Sequence, residues 1–303
     1  MTKPLRKTIW DKDNVLFDSE GLAMQIMDDE GYALVTQYDG APELAPGVPL
    51  ERGYIYKEYP GTSTDKIVQA LIDQFDLPLA QIKDDFDLGD IADDQVAIAL
   101  AEDVTRKTID GFRQGLEAIP GIADALRAID NYMGGIEHRA SCTTSPADRM
   151  NISLECAVDP ATGKNAGLAD LFPDVDDRRI SGYDYDNKYV YFFELHPDWD
   201  PAECAIFEDS KSGVTKAKAS HDDVRVIGTV AAQYYPDKAE QAAVLMQAGA
   251  DVVVSHADDM PKALEWLDNG LTAETRPTFT SEVWTQDALS KPAQDHTQKF
   301  QPQ

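Results

Sequence analysis

The chain has 303 residues, of which 43% are apolar, and a formal net charge of −28 at pH 7. That length holds one large domain or two ordinary ones. The acidity argues against nucleic acid and anionic membrane surfaces as partners, and no stretch is apolar enough for long enough to span a bilayer.

In chain order, Thr8-Ile-Trp reads as a first short strand, followed by acids. The basic start from Met1 to Trp10 has no apolar run behind it and does not read as a signal peptide. Residues 19–116 carry no convincing strand series. Thr64 to Phe75 and Ile91 to Phe112 place apolar residues at helical spacing, and the Pro and Gly content of residues 39–60 predicts a long loop. Further strands are predicted at Ile136 to Ser141, Arg179 to Ser181, Cys204 to Phe207, Val224 to Ile227 and Asp251 to Ser255. Helical segments lie between and after them, at Pro146 to Cys156, Ser212 to Ser220, Asp237 to Ala248 and Pro261 to Leu267. Alternating strands and helices predict an α/β fold with a doubly wound parallel sheet. The expected organisation is a core of residues 1–18 and 117–270, a helical insertion at 19–116, and a polar C-terminal tail at 271–303. In that tail Trp284 and Phe300 are the residues able to dock. Three widely spaced cysteines, Cys142, Cys156 and Cys204, give no disulfide framework or zinc spacing, so a cytoplasmic location is expected.

Four segments carry chemistry. Asp11 and Asp13 follow the first strand, a pair able to divide nucleophilic or metal-binding work from proton transfer. A polar turn is the alternative, and the segment alone leaves the two even. Glu208 and Asp209 end another strand, where carboxylates suit Mg²⁺, although taken alone helix N-capping by Asp209 or Ser210 is the better explanation. Ala140-Ser-Cys-Thr-Thr-Ser-Pro offers hydroxyls and free N–H groups to a phosphoryl group, although taken alone it is better explained as an ordinary Ser/Thr cap before Pro146. Lys188 by itself is an ordinary surface charge. All four lie at the C-terminal ends of predicted parallel strands or in the loops that follow. That edge is where open α/β sheets bind ligands.

As a set, these motifs resemble the haloacid dehalogenase (HAD) superfamily, in its phosphatase and beta-phosphoglucomutase-like branch with a helical cap. The likeness covers roughly residues 5–270. Asp11-Lys-Asp-Asn-Val-Leu-Phe-Asp-Ser-Glu resembles the DxD motif, Ser141 the Ser/Thr motif, Lys188 the lysine position and Phe207-Glu-Asp-Ser the acidic motif. Gly61-Thr-Ser, Ile119-Pro-Gly-Ile and Pro201-Ala-Glu-Cys also match this branch. The resemblance implies a HAD-like Rossmannoid core and a phosphoryl-transfer enzyme. Asp11 would be the nucleophile and Asp13 the proton-transfer group. Ser141, with Cys142 beside it, and Lys188 would bind phosphate. Mg²⁺ would be held by Asp11, the Asp13 carbonyl, Asp209 and Glu208. The substrate would be a small, possibly sugar, phosphomonoester selected by the cap, with Glu20 and Gly61 contributing.

Two departures accompany the likeness. Lys188 is followed by Tyr-Val-Tyr-Phe-Phe rather than by prolines and an Asp, which leaves Lys211 and Lys164 as alternatives. Thr64 stands where the mutases place an arginine, which favours hydrolysis over isomerisation. Asp13 and the Glu208–Asp209 pair argue against a metal-free dehalogenase. A non-catalytic binding module would be expected to lack Asp11 or Asp13.

Overall fold

The computed structural model describes residues 3–59, 62–175 and 177–285. Gly61 and Phe300 lie outside them, so the roles expected of these two have no structural counterpart here.

The core is built on six parallel strands: β1 (Lys7–Trp10), β4 (Arg139–Thr143), β5 (Arg179–Ser181), β6 (Cys204–Glu208), β7 (Arg225–Thr229) and β8 (Val252–Val254). A seventh, β9 (Val283–Thr285), joins the edge antiparallel to β8, giving the order β5-β4-β1-β6-β7-β8-β9. β1 and β6 are central and buried on both faces, which is why they read as continuous apolar runs. Each face carries its own core. Trp10 and Phe207, opposite one another in register, stack at 3.7 Å within one. Ile9 and Ile206 point into the other. The order changes direction beside β1, and the C-terminal ends of β1, β4 and β6 therefore meet at one crevice.

The helices α6 (Ile122–Met133), α7 (Ala147–Cys156), α8 (Leu168–Leu171), α9 (Lys188–Leu195), α10 (Lys211–Ser220), α11 (Lys238–Ala248) and α12 (Met260–Asp268) follow in the core. Their caps are readable in the chain. Asn187 accepts from the Tyr189 and Val190 amides, Ser210 from Gly213, and Asp237 from Ala239 and Glu240.

Between β1 and α6 lie α1 (Ser19–Tyr38), a small hairpin of β2 (Glu43–Ala45) and β3 (Val48–Pro49), α2 (Tyr54–Glu58), α3 (Thr64–Gln74), α4 (Leu79–Asp85) and α5 (Asp93–Gly115). Residues from Met24 to Val104 form a separate apolar cluster in this segment. The stretch 39–60, expected as a loop, in fact contains the hairpin and α2. Asp28 on α1 fixes the start of α2 by accepting from the Gly53 amide at 2.6 Å and the Ile55 amide at 3.0 Å.

The segment after residue 270 departs from the tail expected of it as far as it is described. Asp259 gathers Thr280 and Ser281, Ser255 donates to the Glu282 carbonyl, and Trp284 pairs with Val253 in the sheet. No helix among the described residues is long and apolar enough to cross a membrane.

Candidate active site

β1 delivers Asp11 to the crevice, and the ladder continues to that point through Asp11 N–H donating to Phe207 O at 3.0 Å. The chain then turns tightly. Asn14 adopts φ +55° and donates its amide to Phe17 O, while Leu16 N–H returns to Lys12 O. Asn tolerates this left-handed conformation better than most residues. The turn sets Asp11 and Asp13 on different neighbours.

Asp11 is 7% exposed, and its Oδ1 accepts from Lys188 Nζ at 2.5 Å. The same ammonium lies 2.8 Å from Glu208 Oε1. Burial pushes the Asp11 carboxyl up, to about 7, against the pull of Lys188 and with the help of Glu208 and Asp13. Burial opposes the charge on Lys188 as well, but Asp11 and Glu208 outweigh it and hold the lysine protonated, above its ordinary range. Gly182 makes this approach possible. A β-carbon there would stand 2.4 Å from Lys188 Cβ and 2.8 Å from its Cα.

Glu208, fully buried at the end of β6, is already well supplied with donors. Oε1 receives Tyr189 OH at 2.6 Å besides Lys188, and Oε2 receives the amides of Asp209 and Ser210. Its carboxylate rests on Gly213, where a β-carbon would meet it at 2.1 Å. Asp209 follows it and is 4% exposed. Burial, Glu208 and Asp11 push its carboxyl well up, although Tyr235 OH donates to Oδ2. Asp11, Glu208 and Asp209 each present an oxygen within 4.8 Å of the others.

Asp13 sits in the opposite electrostatic setting. Lys12 Nζ is 3.0 Å from Oδ1 and Arg149 Nη2 is 3.6 Å from it. Ser19 Oγ donates to Oδ1, and Ser145 Oγ to Oδ2 at 2.9 Å. Burial would raise this carboxyl, but Lys12, Arg149 and the Ser19 hydroxyl hold it well below the usual carboxylate range. Lys12 and Arg149 also flank the Phe112 ring, at 6.0 and 5.1 Å, which ties the Asp13 environment to the end of α5.

The structure brings Asp11, Lys188, Glu208 and Asp209 into one cluster, with Asp13 beside it. Glu20 is linked to it through Asn14 Nδ2, 2.7 Å from Glu20 Oε2. Lys211 and Lys164 are exposed. Ser141 and Cys142 lie inside β4 and are fully buried. Ser141 is opposite Trp10, one residue short of Asp11, and its hydroxyl is buried without a hydrogen-bond partner. Cys142 donates its thiol to the Lys188 carbonyl, and burial pushes that thiol up to about 12. The exit of the strand is Thr143, whose Oγ1 accepts from Ser145 N–H at 3.0 Å. Lys12, Ser19, Arg149, Tyr189 and Tyr235 join the site although the motifs assign them no role, whereas Ser145 belongs to the hydroxyl-rich Ala140 to Pro146 segment. Pro146, the N-cap of α7, is the signal in that segment that points to Ser145, because the chain there leads into a helix N-terminus, where anions bind.

No protein-family model matches the sequence, and no curated protein is significantly similar to it. Solved structures do share its fold. A conserved haloacid dehalogenase-like protein of unknown function from Agrobacterium tumefaciens is 22% identical at TM-score 0.57, covering 87% of this chain and 99% of that one. A HAD family hydrolase from Deinococcus radiodurans, with bound phosphate and sodium, is 19% identical at TM-score 0.57 over 88% and 97%. A Thermotoga maritima protein provisionally named a beta-phosphoglucomutase is 18% identical at TM-score 0.57 over 86% and 99%. The chain therefore has the haloacid dehalogenase-like fold, of the kind shared by the phosphatases and beta-phosphoglucomutases of that superfamily.

Proposed function

We propose that the chain is a magnesium-dependent phosphomonoester hydrolase in which Asp11 is the nucleophile. The observation that carries this reading is the placement of Asp11. One oxygen is held by the buried Lys188 ammonium, the carboxylate sits at the crevice where three strands end, and a second buried carboxylate, Asp209, is alongside.

In the first step an Asp11 oxygen attacks phosphorus. The phosphorus–oxygen ester bond breaks, an aspartyl-phosphate forms, and the leaving oxygen takes a proton. In the second step water attacks the same phosphorus, loses a proton, and returns free phosphate and the Asp11 carboxylate. Asp13 handles these protons. Its cationic neighbours favour the ionised form, which suits it to accept the proton from water. It donates to a leaving group only after gaining a proton. Lys188 holds a phosphoryl oxygen while keeping Asp11 oriented. Thr144, exposed just past the end of β4, and the Ser145 hydroxyl beside Asp13 are better placed as the remaining phosphate donors than Ser141 and Cys142, whose side chains are sealed within the strand.

The donor set fits Mg²⁺. Asp11, Glu208 and Asp209 are hard oxygen donors, and Lys188 alone does not balance three buried carboxylates. Asp11 and Asp209, with the Asp13 carbonyl, are the ligands of choice, whereas Glu208 has its oxygens engaged and acts mainly by holding Lys188. The bound cation would offset the charge of the incoming phosphate dianion.

Phosphate release from a panel of small esters tests the reading, with Mg²⁺, with EDTA and with Asp11→Asn. Undiminished activity in Asp11→Asn would overturn the nucleophile assignment. Analysis of products from hexose 1-phosphates separates hydrolysis from isomerisation, which the threonine at position 64 disfavours.

A further inference from the structure

The crevice wall beside Asp209 has a chemistry that the catalytic scheme does not use. Glu20 opens α1 and is joined to Asn14 at 2.7 Å. Asp18 precedes it, with Oδ2 accepting from the Gln233 amide at 3.1 Å and Oδ1 buried without a hydrogen-bond partner. Over these acids stand two half-buried tyrosines. Tyr56 comes from α2, and Tyr234 comes from the loop after β7. Their ring centroids are 5.8 Å apart. Both pack above Gly21, where Tyr234 Cδ2 and Tyr56 OH lie 3.7 and 3.8 Å from the point a β-carbon would occupy. Tyr234 also meets Tyr235, the residue whose hydroxyl holds Asp209, at 5.5 Å. The wall is thus continuous with the catalytic cluster, and Asp28 pins the start of α2 so that Tyr56 is held over it.

The cations of the region are already committed. Lys188 serves Asp11 and Glu208, while Lys12 and Arg149 serve Asp13. Lys238 donates to the Ala231 carbonyl at 3.3 Å and, within electrostatic reach of Asp18, offsets part of that charge. A phosphoryl group bound at Lys188 would therefore direct its leaving group toward two carboxylates and two aromatic rings. Carboxylates repel an anionic leaving group, and tyrosine faces attract a cation. We propose that the substrate is the phosphate ester of a cationic alcohol, one carrying an ammonium or quaternary ammonium group, selected by Glu20, Asp18, Tyr56 and Tyr234. This rests on the phosphatase reading and names its substrate class.

The test compares phosphocholine and phosphoethanolamine with 3,3-dimethylbutyl phosphate, the neutral isostere of the choline ester, and with 2-phosphoglycolate. 4-Nitrophenyl phosphate serves as the activated reference ester. The expected result is a kcat/KM at least tenfold higher for one of the cationic esters than for the neutral isostere, lower still for the anionic ester, and a preference that shrinks as salt is raised. Glu20→Gln and Tyr234→Leu should bring the ratio of cationic to neutral ester toward one, mainly through KM, and Tyr234→Phe should retain most of it. Hydrolysis of 4-nitrophenyl phosphate with equal or lower kcat/KM on the cationic esters overturns the substrate assignment and leaves the phosphatase reading standing. Failure to hydrolyse any ester, the activated one included, overturns both.

Discussion

The ammonium of Lys188 lies 2.5 Å from Asp11 Oδ1, at the end of a side chain only 3% exposed. The same group neutralises Glu208 at 2.8 Å, so one buried cation serves two buried carboxylates. Lys188→Met would leave both acids without a counter-charge. Removing one partner of a buried ion pair costs about 3–5 kcal/mol. We expect a loss of that order in urea unfolding, together with loss of phosphate release. Adding Glu208→Gln to that variant should recover part of the stability and none of the activity. Recovery of activity would show that Lys188 acts only through charge balance in the fold.

Gly213 gives a second prediction, in which two effects oppose. Alanine inside a helix is favoured over glycine by about 1 kcal/mol. A β-carbon at this position would stand 2.1 Å from the Glu208 carboxylate, which also holds Lys188 and Tyr189. Overpacking of a tight site costs about 1–3 kcal/mol, and here it also displaces a charged group from its donors. Gly213→Ala should therefore be destabilised in urea unfolding and should lose kcat. A more stable variant with unchanged kcat would show that Glu208 is free to move.

A third prediction concerns the metal. Burial, Glu208 and Asp11 push the Asp209 carboxyl up, and burial, Glu208 and Asp13 push up that of Asp11, a situation that a divalent cation relieves. Mg²⁺ should therefore raise the thermal midpoint of the wild type. At a hundredfold excess over Kd the stabilisation is about 2.7 kcal/mol. Asp209→Asn should abolish the shift while remaining folded, because it removes a buried charge. An undiminished shift in that variant would place the cation elsewhere.

The sheet was legible because parallel strands buried on both faces leave short continuous apolar runs, and all six predicted strands appear in it. Asp11, Glu208 and Asp209 were legible because acids at strand ends are conspicuous. The helix from Ser19 to Tyr38 was not. Its buried positions 19, 24, 27, 28, 31, 34 and 35 follow helical spacing, but three of them are Ser19, Asp28 and Gly31, which break the apolar pattern. The partners of the acids were hidden for a different reason. Arg149 and Tyr235 reach the site from distant elements, and nothing in their own neighbourhoods marks them, while Tyr189, next to the marked Lys188, sits in an aromatic run that reads as packing. The strand end at Thr143 rather than Ser141 is a boundary effect of two residues, enough to turn an expected ligand into a core hydroxyl. The edge strand at Val283–Thr285 is too short to carry a period of its own.

That edge strand supplies the last prediction. Asp259 is fully buried and accepts from Thr280 N at 2.9 Å, Thr280 Oγ1 at 2.9 Å, Ser281 N at 2.9 Å and Ser281 Oγ at 2.6 Å, with Lys262 at 3.2 Å. Burial alone would raise its carboxyl. The Ser281 hydroxyl, the Thr280 amide and hydroxyl, and Lys262 reverse that effect and hold it below the ordinary value of 3.8. Because the folded value lies below the unfolded one, the stabilisation is fully present above about pH 4 and fades as pH falls through the folded value. Asp259→Asn should therefore be less stable than the wild type at pH 5 to 7, by about 1–3 kcal/mol. The gap should close as the solution is acidified below that range, since the wild-type residue then also loses its charge. Urea unfolding of the two proteins across a pH series measures the gap directly. A gap that stays constant down to the acid limit of folding would mean that the contacts of Asp259 act through shape and not through its charge.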